Sequence, residues 1–424
     1  MRHRHRRPLR AVVATLAVTL SGCGGGGASG AAAHGDSTGV TASSIALGTT
    51  FALSGPASAY GVIPKGTQAY FQYVNDHGGV NGRRIDYRVL DDGYSPPQTV
   101  QLTRQLVQQD RVFAMVGGFG TQQQMAVRQY LNDHRVPQLF VTSGAATWAT
   151  DYRQFPWSIS WLPTFATESM IYAAYVKRTL PGARIGVLYQ NDDFGQDYLT
   201  GLERGMGDAA HQIVDREPYD VSAADVSSQV ARLRGSGADT LFIFATARFA
   251  IQTMVSAYRL GWHPRMLLSY TSAASTIIQA VDRAAGSADA TEGITSVGFE
   301  LDPGNPADAS LAGTGLYQQI MTRYLPGADR SNVFYLTGMS NAYMIVDALS
   351  RAGGNLTREG LMGAASSMTE PANPFLLPGV TVRTTTTDHF PITQMEIGHF
   401  HNGVFQLSGA LEDTRTTMLS LVAH

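Results

Sequence analysis

Eight short apolar runs recur along the chain at nearly constant intervals, and this rhythm limits the fold more than any single motif does. Strand-like runs begin near residues 45, 85, 112 and 139, and again near 185, 213, 241 and 266. The intervals are 40, 27 and 27 residues in the first set and 28, 28 and 25 in the second. Between them lie stretches with apolar residues at helical spacing, such as Ala69, Tyr70, Tyr73 and Val74, or Val226, Val230 and Leu233. Strands separated by a helix must run parallel, so each set predicts a βαβαβαβ series. Two such series predict an α/β protein of two Rossmann-like lobes, each with a parallel sheet. At 424 residues the chain also exceeds what a single core usually holds.

In a parallel sheet, ligands bind where strands end and helices begin. Two junctions are candidates: Leu53–Gly61 (LSGPASAYG) and Arg184–Asp197 (RIGVLYQNDDFGQD). Gly120-Thr121 and Ser143-Gly144-Ala145 lie at two further strand ends, where small side chains let a ligand approach helix N–H groups. Gly118-Phe119-Gly120 offers two glycines of a dinucleotide loop, but Gln123 occupies the third position, so the motif fails. The pairs Asp91-Asp92 and Asp192-Asp193 read as turn and helix caps rather than an acid/base couple. Gly338–Ala342 lacks the last glycine of a nucleophile elbow, and Tyr343, Val346 and Leu349 carry a helical face through it. His389, His399 and His401 read as surface histidines. The sequence therefore predicts no catalytic set, no metal and no cofactor.

The first 23 residues read as an export address. Five arginines (Arg2, Arg4, Arg6, Arg7 and Arg10) precede the apolar run Ala11–Leu20, which is too short to span a bilayer. Leu20-Ser21-Gly22-Cys23 resembles a bacterial lipobox, which makes Cys23, the single cysteine, the expected lipid anchor. The expected organisation is a signal peptide over 1–23, then a Gly/Ala/Ser-rich tether over 24–41. Lobe 1 is expected over 42–160 plus about 290–375, and lobe 2 over 161–289 plus about 376–415. Ile294–Phe299 reads as strand-like, and Pro371–Val382 and Pro391–Gln406 as extended. A net charge of −2 gives no general attraction to nucleic acid or anionic lipid.

The ordered series Ser54-Gly55-Pro56, Ala59-Tyr60-Gly61, Asn75, Gly78-Gly79-Val80-Asn81-Gly82, Asp91-Asp92, Val116-Gly117-Gly118, Pro137 and Asn191-Asp192-Asp193-Phe194-Gly195 resembles the substrate-binding proteins of branched-chain amino-acid ABC importers. The resemblance covers about residues 42–410. It implies the type I periplasmic-binding fold, with two lobes joined by three crossovers and closing on a small amino acid, amide or carboxylate. It implies that Gly120, Thr121, Thr142, Ser143, Gly144 and Ala145, with Thr147 nearby, surround a ligand carboxylate. Tyr60 and Trp148 would line the first lobe's wall, and Phe194, Thr246 and Arg248 would come from the second. Amino-acid binders place an acid soon after the strand matching Leu241–Ala245, to pair with the ligand ammonium. Here that stretch reads Thr246-Ala247-Arg248-Phe249, which argues against a free α-amino acid. The implied partners are an ABC permease and ATPase, with the chain exported and anchored to the outer face of the cytoplasmic membrane. The alternative is a ligand sensor that signals to a membrane partner.

Overall fold

The computed structural model describes residues 35–354, 356–369 and 372–422. The first half alternates β1 (Ser44–Phe51), α1 (Ile63–Asp76), β2 (Arg84–Asp91), α2 (Pro96–Arg104), β3 (Ala114–Val116), α3 (Thr121–Asp133), β4 (Gln138–Val141), α4 (Thr147–Thr150) and β5 (Ser158–Ser160). These strands form a parallel sheet in the order β2-β1-β3-β4-β5. Prolines open α1 and α2, where the missing N–H costs nothing.

The rhythm then repeats with α5 (Phe165–Thr179), β6 (Ile185–Gln190), α6 (Asp193–Met206), β7 (Ile213–Tyr219), α7 (Ser227–Gly235), β8 (Thr240–Phe244), α8 (Ala247–Arg259), β9 (Arg265–Leu268), α9 (Ser275–Ala285) and β10 (Thr295–Gly298). β8, TLFIF, is buried at every position, as a strand covered on both faces must be. β7 forms an edge and tolerates Pro218 there. The helices α10 (Ala312–Tyr324), α11 (Val333–Ala352) and α12 (Arg358–Ala365) return to the first sheet, where α11 packs along α1. The hairpin β11 (Gln394–His401) and β12 (Val404–Asp413) then completes the second sheet in the order β12-β11-β10-β9-β8-β6-β7. A last helix, α13 (Arg415–Val422), reaches α4, and Met418 packs with Ala149 and Phe390.

Several details depart from the expectations. Thr295–Gly298 pairs with β9 and β11, so this strand lies in the second sheet and the return to the first begins after it rather than near 290. Pro391–Gln406 is not one extended run. Asn402 (φ 51°) and Gly403 (φ 73°) fold it into a hairpin, the left-handed pair that a two-residue turn requires. Of the segment expected to be extended over Pro371–Val382, the described residues 372–382 form no strand and contribute one isolated bridge, Leu376 with Glu300. β5 and α12 were not anticipated.

Candidate functional site

Strand order reverses between β1 and β3 in one sheet and between β6 and β8 in the other. The loops beyond these strand ends meet in a single cleft with two connected chambers, which share Tyr60, Phe119, Thr142, Leu162 and Thr271.

The smaller chamber, about 30 Å³, is polar at one end. Gly120 is the N-cap of α3 with φ 93°, and no side chain caps the helix, so its first N–H groups are left for a ligand. A Cβ at Gly120 would stand 2.3 Å from Gln123 Oε1 and 2.9 Å from the Tyr94 ring, so only glycine fits. Thr121 Oγ1 lies 2.8 Å from Ser143 Oγ, and Trp148 Nε1 donates to the same Ser143 oxygen at 3.0 Å. With the indole N–H filling one acceptor position, the Ser143 hydroxyl hydrogen remains for Thr121 or for the chamber. Phe194, Phe165 and Thr246 close the other side, and among the described residues no charged side chain lines this chamber.

The larger chamber, about 120 Å³, is mostly apolar. Tyr60 stacks obliquely with Phe119 (4.9 Å between centroids) and Phe334 (5.0 Å), and Leu162, Tyr270 and Phe299 complete the wall. Two acids, Glu300 and Asp302, sit at its margin. Asp302 is engaged by Ser275 Oγ (2.6 Å) and the Gly304 N–H (2.8 Å). Glu300 Oε2 accepts the Thr337 hydroxyl at 2.8 Å, and the Ser340 hydroxyl and Trp161 indole N–H adjoin the same carboxyl. Burial pushes the Glu300 acid up to about 7, against the lowering effect of its hydroxyl and indole neighbours.

The lobes touch around these chambers. The Tyr60 hydroxyl accepts from the Ala247 N–H at the start of α8 (2.9 Å) and lies 3.0 Å from Thr271 O and 3.2 Å from Ser272 Oγ. Burial raises its acid to about 12, so it remains a neutral donor and acceptor. Gln190 donates to the Tyr94 hydroxyl at 3.3 Å. Asp197 of α6 accepts from Ala146 N (3.3 Å) before α4 and Ala166 N (3.1 Å) in α5.

The structure brings Tyr60, Gly120, Thr121, Thr142, Ser143, Phe194 and Thr246 together at the smaller chamber. Arg248 is not among them: it is exposed, donates to Ala224 O at 2.8 Å and lies over Phe249. Trp148 is buried behind Ser143, sandwiched with Arg128, and forms no wall. Gly144 packs against Pro163 O, and the Ala145 N–H turns to Ser143 Oγ at 3.4 Å, so both shape the loop without lining the chambers. Thr147 is occupied by Asp151. Cys23 lies outside the described residues. Asp192 caps α6, bonding Phe194 N and Gly195 N, and Asp91 gathers the N–H groups of Leu53, Ser54 and Gly93. Sequence reasoning missed Phe119, Leu162, Tyr270, Phe299, Glu300, Phe334 and Thr337. Most of these come from hinge segments and the start of α11, where periodicity carries no information about the cleft.

A periplasmic binding protein family model matches residues 44–403. The Leu/Ile/Val-binding protein homolog 1 of Brucella abortus (strain 2308) is 23% identical over 47% of this chain and 53% of its own length. The chain thus spans about half the length of the curated relatives it matches first. A branched-chain amino acid ABC transporter from Thermus thermophilus with bound valine superposes with a TM-score of 0.76 at 19% identity, covering 87% of this chain and 96% of that one. A fatty acid ABC transporter substrate-binding protein from Thermomonospora curvata gives 0.74 at 22% identity, covering 92% and 96%. These likenesses share one architecture of two α/β lobes around a cleft. The chain belongs to the periplasmic binding protein family.

Proposed function

We propose that the chain is the exported solute receptor of an ABC importer, and that it binds a small carboxylate with an apolar body between its lobes. The observation that carries this reading is the pairing of an uncapped helix N-terminus and two hydroxyls with an apolar chamber next door. The α3 N–H groups, Thr121 and Ser143 hold the carboxylate, with Thr142 alongside; no cationic side chain is required. Tyr60, Phe119 and Phe334 embrace the body of the solute, and Phe194 and Thr246 close over it from the second lobe. A valine-bound branched-chain amino acid transporter protein and a fatty acid transporter's substrate-binding protein share this fold, which supports a carboxylate solute. Cys23 is the lipid anchor, a permease and ATPase take the solute, and no chemistry is done on it.

A thermal-shift screen tests this with short carboxylates, their matching alcohols and amides, and branched-chain amino acids. A carboxylate at about 100 times its dissociation constant stabilises by about 2.7 kcal/mol. The alcohols should not, and the double change Thr121→Val with Ser143→Ala should abolish the shift. Stabilisation by alcohols and carboxylates alike would remove the anion site from the reading.

A further inference from the structure

The cleft carries charge at one end only. Among the described residues lining its two chambers, the charged side chains are Glu300 and Asp302, both at the margin of the larger, apolar chamber. Both Asp302 oxygens are taken by Ser275 and Gly304. Glu300 is less engaged: Oε2 takes the Thr337 hydroxyl alone and can accept a second donor, while Oε1 is buried away from solvent without a hydrogen-bond partner. Trp161 and Ser340 lie beside this carboxyl, yet the Trp161 N–H also lacks a partner within hydrogen-bond reach. An acid left under-bonded in an apolar cavity is costly unless something arrives to donate to it. A second anionic end on the solute would be repelled there.

We infer that Glu300 selects the far end of the solute, and that the solute class is a carboxylate whose apolar body ends in a hydrogen-bond donor, an amine or a hydroxyl. This rests on the proposed carboxylate site at α3. A solute held by its carboxylate at Thr121 extends past Tyr60 and Phe119 into the larger chamber, and its donor meets Glu300 beside Thr337. The arrangement favours such solutes over plain acids of equal length and disfavours diacids.

Calorimetric titration of the full chain tests this with hexanoate, its ω-hydroxy and ω-amino derivatives and the corresponding diacid. Phenylpropanoate and its para-hydroxy and para-amino derivatives form a second set. In at least one set the donor-bearing acids should bind about tenfold or more tighter than the parent. Glu300→Gln should remove the advantage of the amine over the parent acid. Equal affinity of parent and donor-bearing acids for the unsubstituted chain overturns the inference while leaving the carboxylate reading intact, whether or not the variant folds. If no carboxylate binds, the carboxylate reading itself fails and the inference falls with it.

Discussion

Glu168 is buried within the second lobe, where its carboxyl meets three donors: the hydroxyls of Tyr172 (2.7 Å) and Tyr198 (2.5 Å) and the Tyr270 N–H (2.8 Å). Burial outweighs these bonds and raises its acid from 4.5 to about 8. Proton accounting agrees. The Tyr172 hydroxyl also lies 2.8 Å from Leu268 O, so a protonated Glu168 can donate to Tyr172 while Tyr172 donates onward to that carbonyl. Through the window from about pH 4.5 to 8 the folded chain keeps a proton that the unfolded chain releases, so stability falls as pH rises. Asp197 and Glu300, each raised to about 7, add to the same slope. The melting temperature should therefore drop between pH 5 and pH 8. Glu168→Gln should remove the largest single share of that drop, on the order of a few kcal/mol. Parallel pH profiles for the two proteins would assign the slope to other groups.

Among the elements, the start of α3 is the most exacting, because one backbone position both begins a helix and faces the solute. Gly120→Ala places a Cβ at φ 93° against Gln123 and Tyr94. Chemical denaturation should show a loss of about 1–3 kcal/mol, with carboxylate binding weakened further. Unchanged stability would mean that this turn relaxes without strain. The strand–helix rhythm and most of this polar chamber were legible in the sequence, because buried parallel strands and their turns are local patterns. What was not legible depends on rotation and on distance along the chain. Ala247 turns its N–H toward Tyr60, whereas Arg248, one helical step on, points to solvent. Glu300 and Phe334 reach the cleft only because β10 stays with the second sheet and α11 returns to the first. The Asn402-Gly403 hairpin was a readable signal that the extended reading passed over.

At the scale of the molecule, polar ties hold one half against the other among the described residues, including Tyr60 with Ala247, Thr271 and Ser272, Tyr94 with Gln190, and Asp197 with Ala146. The Tyr60 tie sits where the chambers meet, so it couples closure to occupancy. Tyr60→Phe keeps the aromatic wall and deletes the hydroxyl. The hydroxyl both accepts from the Ala247 N–H and donates to Thr271 O, so at about 1 kcal/mol per lost bond solute affinity should weaken about thirtyfold, and small-angle scattering should show a more expanded free protein. Identical scattering and affinity would show that the hydroxyl contributes nothing to closure.

The return of the chain to both sheets also orders events during synthesis. β10 has its outer neighbour only after β11 is made, about 95 residues later, and the first sheet waits for α11 to cover it. The first half is covered only once α11 has emerged and the second is closed only by the β11–β12 hairpin, so a nascent chain stays incomplete, and threadable, for most of its length. A chain cut short before Gln394 would present β10 as an open edge, a template on which another copy can pair.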